Sequence, residues 1–218
     1  MANSSGLHRA RRRTMIRERF DMTRGRSITR DLDRLRRRLG QPGARQPIPE
    51  GKAAAVLVPI FERGGEAHLL YIRRSENVSH QGQAAFPGGR VEPADRHLGD
   101  TALREAYEEV GIEPGTVDVL GFLPAKNTMV SGYVVAPFVG VIPEPDSSLR
   151  HDPREVAEVF TVPISALLDP RYRGQHEINR ADGRPLKFPA IHFGGQTIWG
   201  LTYRITLDLL EIIEPARD

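Results

Sequence analysis

The chain has 218 residues, 39% of them hydrophobic and 27% charged, a balance that suits one folded domain with an appended segment. It contains no cysteine, which excludes disulfides, thiolate metal sites and cysteine nucleophiles. No apolar run approaches the roughly 18 to 20 residues that a membrane-spanning helix needs. We therefore expect a cytoplasmic protein without a transmembrane segment.

The net charge of +3 conceals two segments of opposite sign. Residues 1–40 contain 13 arginines and 4 acidic residues, a balance of +9, whereas the rest of the chain has 18 basic and 24 acidic residues, a balance of −6. We therefore predict a basic N-terminal extension over residues 1–51 and a mildly acidic domain over residues 52–218.

The extension is predicted to contain one helix and a linker. Ser27 is a suitable N-cap for a helix with an apolar stripe that reaches Leu39, and Gly40 ends it. Residues 40–51 are rich in proline and glycine, which is typical of a linker. The favoured role is a docking helix or a partner-binding arm. Attachment to nucleic acid or to a membrane surface is less favoured because no aromatic residues interleave with the arginines. A homodimer is left open.

The domain shows strand patterns interleaved with few helices. Two apolar runs separated by a glycine turn predict a hairpin at Ala53–Phe61 and Ala67–Arg73. Further strands are predicted at Val117–Pro124, Tyr133–Ile142, Val156–Val162 and Leu186–Phe193, a short turn or helix at Pro163–Leu168, polar turns over residues 169–185 and a closing helix at Ile198–Ile213. This order, without internal repeats, favours an α/β (α+β) fold with a mixed sheet between helices.

The stretch FPGGRVEPADRHLGDTALREAYEEVGI, residues 86–112, contains the main functional pattern. In a helix, Glu105, Glu108 and Glu109 share one face, where their like charges repel unless a hard divalent cation binds them. The apolar face is predicted to comprise Leu103, Ala106, Tyr107 and Val110. Gly111 is placed to end the helix in a left-handed turn.

This stretch closely resembles the signature of the Nudix hydrolases, G-x5-E-x7-R-E-U-x-E-E-x-G-U, where U is a bulky aliphatic residue. Gly89 and the run from Arg104 to Ile112 match it. Asp95 stands where the family usually has Glu, and the gap to Arg104 is one residue longer, so the role of Asp95 is left open. The resemblance implies the Nudix α/β/α sandwich with a central mixed sheet.

The resemblance also implies roles for the residues that match this motif. Glu105, Glu108 and Glu109 would bind Mg²⁺ or Mn²⁺, with Glu105 and Glu109 as the strongest ligands. Arg104 would assist catalysis by orienting a glutamate through an ion pair. The general base varies within the family; Glu155 is the candidate and Glu105 the runner-up.

The sequence before the signature resembles the coenzyme A pyrophosphatase branch, which has the pattern L-L-T-x-R-[SA]-x3-R-x3-G-x3-F-P-G-G. Here Tyr71 replaces Thr, Arg74 replaces the small residue and Val78 replaces the second arginine. The residues expected to contact the substrate are Arg73, Arg74, His80, Gly88 and Gly89, the two glycines by letting backbone approach closely.

The resulting prediction is a Nudix pyrophosphohydrolase that cleaves coenzyme A or its thioesters to 3′,5′-ADP and (acyl-)4′-phosphopantetheine. One alternative keeps the chemistry but takes another nucleoside diphosphate derivative, ADP-ribose or a nucleoside triphosphate. A third, less favoured hypothesis is a nucleic-acid-binding protein that uses the Nudix domain as a scaffold.

Overall fold

The computed structural model describes residues 28–40, 48–76, 81–128, 132–146, 149–179 and 184–214, with side chains from residue 31 onward. The predicted cap Ser27 and the position of Val78 lie outside these residues. The helices are α1 (Ile28–Arg38), α2 (Leu98–Val110), α3 (Ile164–Leu168) and α4 (Gly200–Ile213). The strands are β1 (Ala53–Arg63), β2 (Glu66–Arg74), β3 (Ala84–Ala85), β4 (Gly88–Arg90), β5 (Asp118–Phe122), β6 (Lys126–Asn127), β7 (Val134–Val141), β8 (Val156–Pro163), β9 (Arg173–Asn179), β10 (Pro185–Phe193) and β11 (Gln196–Trp199).

The larger sheet is mixed. Its central order is β3-β2-β1-β7-β5, with β8 also pairing with β2, β6 with β7, and β4 with β1. Strands β1 and β7 run parallel, in a register that joins Ala53 to Val134 and Ile60 to Val141. The hairpin of β1 and β2 is antiparallel, as its glycine turn predicted.

Helices cover both faces of this sheet, which confirms the predicted α/β/α sandwich. Leu98, Ala102, Ala106 and Val110 of α2 pack in one core cluster with alternate residues of β1 and β7. The other face packs against α1, α3 and α4, whose buried members include Leu35, Leu167 and Leu209. Burying each large aliphatic side chain contributes roughly 1.5–3 kcal/mol, so these two clusters hold the layers together.

The N-terminal helix docks on the domain by a narrow apolar stripe. Leu35 is fully buried and Leu39 is 7% exposed. Gly40 and Phe122 then exchange backbone hydrogen bonds of 3.2 and 3.3 Å. A Cβ atom at Gly40 would lie 2.4 Å from the Phe122 ring, so glycine is needed for this approach. The boundary between extension and domain at residues 51 and 52 stays a prediction. Within the described residues, no helix is both long and apolar enough to cross a membrane.

A second sheet, β9-β10-β11, corrects two sequence predictions. The polar segment predicted as turns contains β9, which pairs with β10 from Arg173 to Asn179. Tertiary pairing therefore outweighs the low strand propensity of this segment. The closing helix begins at Gly200 rather than Ile198, because Ile198 and Trp199 pair with β10 in β11. Two apolar residues directly before a helix do not reveal by their spacing whether they belong to the helix or to a preceding strand.

Candidate active site

A glycine loop meets helix α2 at the centre of the candidate site. The Gly88 N–H donates a 2.8 Å hydrogen bond to Glu109 Oε2. A Cβ atom on Gly89 would lie 2.4 Å from Glu105 Oε1. One on Gly88 would lie 2.4 Å from the Ala55 carbonyl oxygen. Any side chain at either glycine would therefore displace the strand or the carboxylates.

The ends of α2 are fixed by local hydrogen bonds. The imidazole of His97 accepts a 3.2 Å bond from the Asp100 N–H at the N-terminus. Gly111 ends the helix with φ of 71°, the predicted left-handed turn. The predicted apolar face is wrong at Tyr107, which is 48% exposed, whereas Glu109 is buried. The helix is thus rotated so that an acidic side chain faces the protein.

Burial makes two of the three carboxyl groups costly to ionise. The side chain of Glu109 is 2% exposed, and burial raises its pKa to about 7 despite the Gly88 hydrogen bond and the charge of Arg74. Burial likewise raises the pKa of Glu105, against the opposing effect of Arg104. The negative charge of Glu155 raises both pKa values further. Glu108 is the accessible member, with 55% of its side chain exposed.

Arg104 connects the carboxylates to the loop before α2. Its Nη1 donates to Glu105 at 3.1 Å and to Glu108 at 3.0 Å. Its Nη2 donates to the Arg90 carbonyl at 2.9 Å and to Asp95 at 3.0 Å. One guanidinium therefore positions two of the three glutamates relative to strand β4, which makes Arg104 a positioning residue.

Asp95 anchors that arginine. Besides Arg104, its carboxylate accepts 2.8 Å hydrogen bonds from the Thr101 hydroxyl and from the Glu92 N–H. Desolvation would raise the pKa of Asp95, but these bonds outweigh it and the pKa is lowered. Because its oxygens face these donors, the structure assigns Asp95 to the support of Arg104. Thr101 was missed from sequence, although it lies one helical turn before Arg104.

The two arginines of the lead-in point in different directions. Arg74 Nη1 lies 3.9 Å from Glu109 Oε1. Arg73 instead pairs with Glu158 at 3.2 Å, on the other side of the strand, where Gln196 also donates to Glu158 at 3.0 Å. Of the two, Arg74 is thus the one placed beside the acidic cluster. His80 lies outside the described residues.

Glu155 stands at the entrance of β8, one residue before Val156. Its carbonyl accepts a 2.8 Å hydrogen bond from the Ser75 N–H, which ties this turn to the end of β2. The side chain is exposed, and its charge is felt by both Glu105 and Glu109. The structure therefore brings this distant glutamate into the electrostatic range of the α2 carboxylates.

The carboxylates of this site are the type of ligand that a hard divalent cation prefers, but they are not arranged as a formed metal site. Among the described residues, no three His, Asp or Glu side chains are grouped as a ready metal site, and Arg104 instead pairs with Glu105 and Glu108. Yet Glu109 is buried, Glu105 is partly buried, and both have like-charged neighbours, so a cation with oxygen ligands would relieve that repulsion.

A cavity of about 690 Å³ opens beside the C-terminal end of α2. Glu108 and Asp152 form its border with the acidic cluster, and Tyr107, Ile142 and Leu149 supply apolar walls. This volume falls within the range of small-molecule sites, roughly 300 to 1,000 Å³. Sequence reasoning did not identify it because its walls come from segments far apart in the chain.

Comparisons with known proteins agree with this geometry. The NUDIX domain profile matches residues 51–181. An uncharacterized Nudix hydrolase, NudL, from Photorhabdus laumondii is 38% identical over 79% of this chain and 91% of its own length. The human mitochondrial coenzyme A diphosphatase NUDT8 is 36% identical over 75% of this chain and 70% of its own length. Among solved structures, a MutT/nudix family protein from Enterococcus faecalis superposes with a TM-score of 0.50 at 17% identity, over 75% of this chain and 63% of that one, a likeness of fold.

Proposed function

The chain belongs to the Nudix family of pyrophosphohydrolases, and we propose that it cleaves the diphosphate of coenzyme A or of its thioesters with a divalent metal ion. The products would be 3′,5′-ADP and (acyl-)4′-phosphopantetheine. The observation that carries this proposal is the acidic face of α2 held against the glycine loop by Arg104 and Gly88. The likeness to a coenzyme A diphosphatase over most of the chain supports the substrate.

Glu105, Glu108 and Glu109 are the residues that would hold Mg²⁺ or Mn²⁺. A divalent cation bound there supplies neutralisation of phosphate charge and makes water a better nucleophile at neutral pH. Gly88 holds one oxygen of Glu109 through its N–H, and Arg104 holds Glu105. These contacts already restrict the side-chain rotamers of Glu105 and Glu109, so less conformational entropy is lost when the substrate binds.

Glu155 is the proposed general base. Its exposed carboxylate can accept the proton of the attacking water as the new P–O bond forms and the bridging P–O bond breaks. Glu105 is the second candidate: burial raises its pKa, although Arg104 occupies one of its oxygens at 3.1 Å. Arg74, whose Nη1 lies 3.9 Å from Glu109 Oε1, would offset charge on the diphosphate.

A substrate panel with Mg²⁺ and with Mn²⁺ tests the proposal. Coenzyme A, acetyl-coenzyme A, ADP-ribose and a nucleoside triphosphate are compared by kcat/KM, with product identity established chromatographically. We expect divalent-dependent release of 3′,5′-ADP, abolished by a chelator. A higher kcat/KM for ADP-ribose or the triphosphate would select the alternative substrate class instead. No hydrolysis of any of the four, together with salt-dependent RNA binding, would favour the scaffold hypothesis.

A further inference from the structure

Three neighbouring strand ends bring two cations to one aromatic ring. Strand β4 pairs with β1 so that Arg90 lies opposite Ala54, and the Val134 N–H donates to the Lys52 carbonyl at 2.9 Å. Because side chains alternate along strands and paired residues share a face, Lys52, Arg90 and Tyr133 project to the same side of the sheet.

The side chains meet at the Tyr133 ring. Lys52 Nζ lies 5.6 Å from the ring centroid, and Arg90 Cζ lies 5.3 Å from it. Both cationic side chains are exposed, and Tyr133 is half-buried. Holding two positive charges against one ring raises the local potential, since each cation is attracted to the ring and repelled by the other. An anion with several oxygens is the ligand that this arrangement suits.

This cluster adjoins the candidate active site through β4. Gly89 faces Glu105 on one side of the strand, and the next residue, Arg90, projects to the other side. The Arg90 carbonyl is held by Arg104 at 2.9 Å, so the same guanidinium fixes the strand and the carboxylates. Strand β4 pairs with β1 along one edge, and along its other edge the Gly88 N–H and the Arg90 carbonyl contact Glu109 and Arg104, so Arg90 directly adjoins the acidic cluster.

We infer that Lys52, Arg90 and Tyr133 form a subsite for a second phosphoryl group of the substrate, carried one sugar ring away from the diphosphate. In coenzyme A this group is the 3′-phosphate. The inference rests on the proposed function, because it assumes that a diphosphate lies over Gly88 and Gly89. It also gives a recognition role to cations that lie outside the lead-in motif, in which Val78 replaces an arginine.

The test compares coenzyme A with dephospho-coenzyme A, which lacks only the 3′-phosphate. Substitution Arg90→Ala removes the guanidinium but keeps the carbonyl that Arg104 binds. We expect kcat/KM for coenzyme A to fall at least about tenfold, mainly through KM, and that for dephospho-coenzyme A to change much less. Arg96→Ala, at an exposed arginine six positions further on, is the matched control. It should leave the ratio of kcat/KM for coenzyme A to that for dephospho-coenzyme A unchanged.

A binding measurement gives a second readout that does not depend on turnover. Calorimetry with 3′,5′-ADP and with 5′-AMP should show tighter binding of 3′,5′-ADP to the wild-type protein. Lys52→Ala and Arg90→Ala should each reduce that difference, and Arg90→Lys should restore part of it. Equal binding of the two nucleotides by the wild type, or the same loss for both in the variants, would overturn the subsite.

The two proposals fail in different ways. If the wild type hydrolyses neither coenzyme A nor dephospho-coenzyme A, the proposed function is wrong. If it hydrolyses both and Arg90→Ala does not distinguish them, the proposed function stands and the phosphoryl subsite is wrong.

Discussion

Two arginine–aspartate pairs of nearly equal length lie in very different parts of this molecule. Arg36 of the N-terminal helix contacts Asp118 at 2.9 Å, and Arg104 of helix α2 contacts Asp95 at 3.0 Å. In the first pair the side chains are 51% and 61% exposed; in the second they are 19% and 3% exposed. Distance therefore does not rank the two interactions, but burial does.

The difference follows from solvation. Water and salt screen the exposed pair, and such pairs contribute about 0 to 1 kcal/mol. Water cannot reach the buried pair to replace a missing partner, so removing one charge leaves the other charge desolvated and unpaired. Helix α1 is thus anchored by Leu35 and Leu39 rather than by its arginines, whereas the site around α2 depends on its charges being placed correctly.

The largest effect is expected where a buried charge is removed from the site. Glu109→Gln should lower kcat/KM on the order of a thousandfold, because the proposed divalent cation would lose a ligand worth several kcal/mol of charge stabilisation. The amide oxygen can still accept from Gly88, so the melting temperature should not fall. Glu113→Gln, at an exposed position just beyond the helix, is the control. Activity within tenfold of wild type would contradict the role of Glu109.

An exposed charge in the same site should affect turnover without affecting stability. Glu155→Gln is expected to lower kcat about a hundredfold, the lower range for loss of a general base. Affinity for Mn²⁺, followed by its paramagnetic effect on water relaxation, should be unchanged. Glu62→Gln, on an exposed strand end, serves as the control. An unchanged kcat in Glu155→Gln would eliminate this residue and leave Glu105 as the base.

Sequence reasoning succeeded where a local pattern determines the structure. The 3.6-residue period and Gly111 located the C-terminal end of α2, and the run from Arg104 to Gly111 identified the family. It failed at Tyr107, because a helical period does not fix which of two adjacent positions faces the sheet. It also failed at β9, a polar strand formed by pairing with β10.

The candidate site shows the same limit. Asp95 could be singled out from sequence, but not its function, which depends on Thr101 and the Glu92 N–H surrounding its carboxylate. Lys52 and Tyr133 are far apart in the chain, and only the parallel register of β1 and β7 brings them together. Long-range register is not encoded in any short motif, so this cluster was not predictable from sequence.

Matched substitutions in the two ion pairs test whether burial determines their contribution to stability. Arg104→Ala should lower the free energy of unfolding by about 3 kcal/mol, since it leaves the buried Asp95 uncompensated. Arg36→Ala should change it by less than about 1 kcal/mol. Urea denaturation measures both. Similar values for the two variants would show that burial does not separate the pairs.

The smallest expected effect is the pH dependence of the buried pair. The pKa of Asp95 is lowered in the folded state, so its charged form stabilises the fold above the ordinary aspartate pKa of about 3.9. The stability difference between wild type and Asp95→Asn should therefore be constant near neutral pH. It should shrink as the pH falls through the lowered pKa, because the carboxyl becomes protonated in both states. Urea denaturation at a series of pH values between about 7 and 3 measures this, with Asp118→Asn as the control, for which the difference should stay small throughout. A difference for Asp95→Asn that grows on acidification would show that the carboxylate is not stabilised by Arg104.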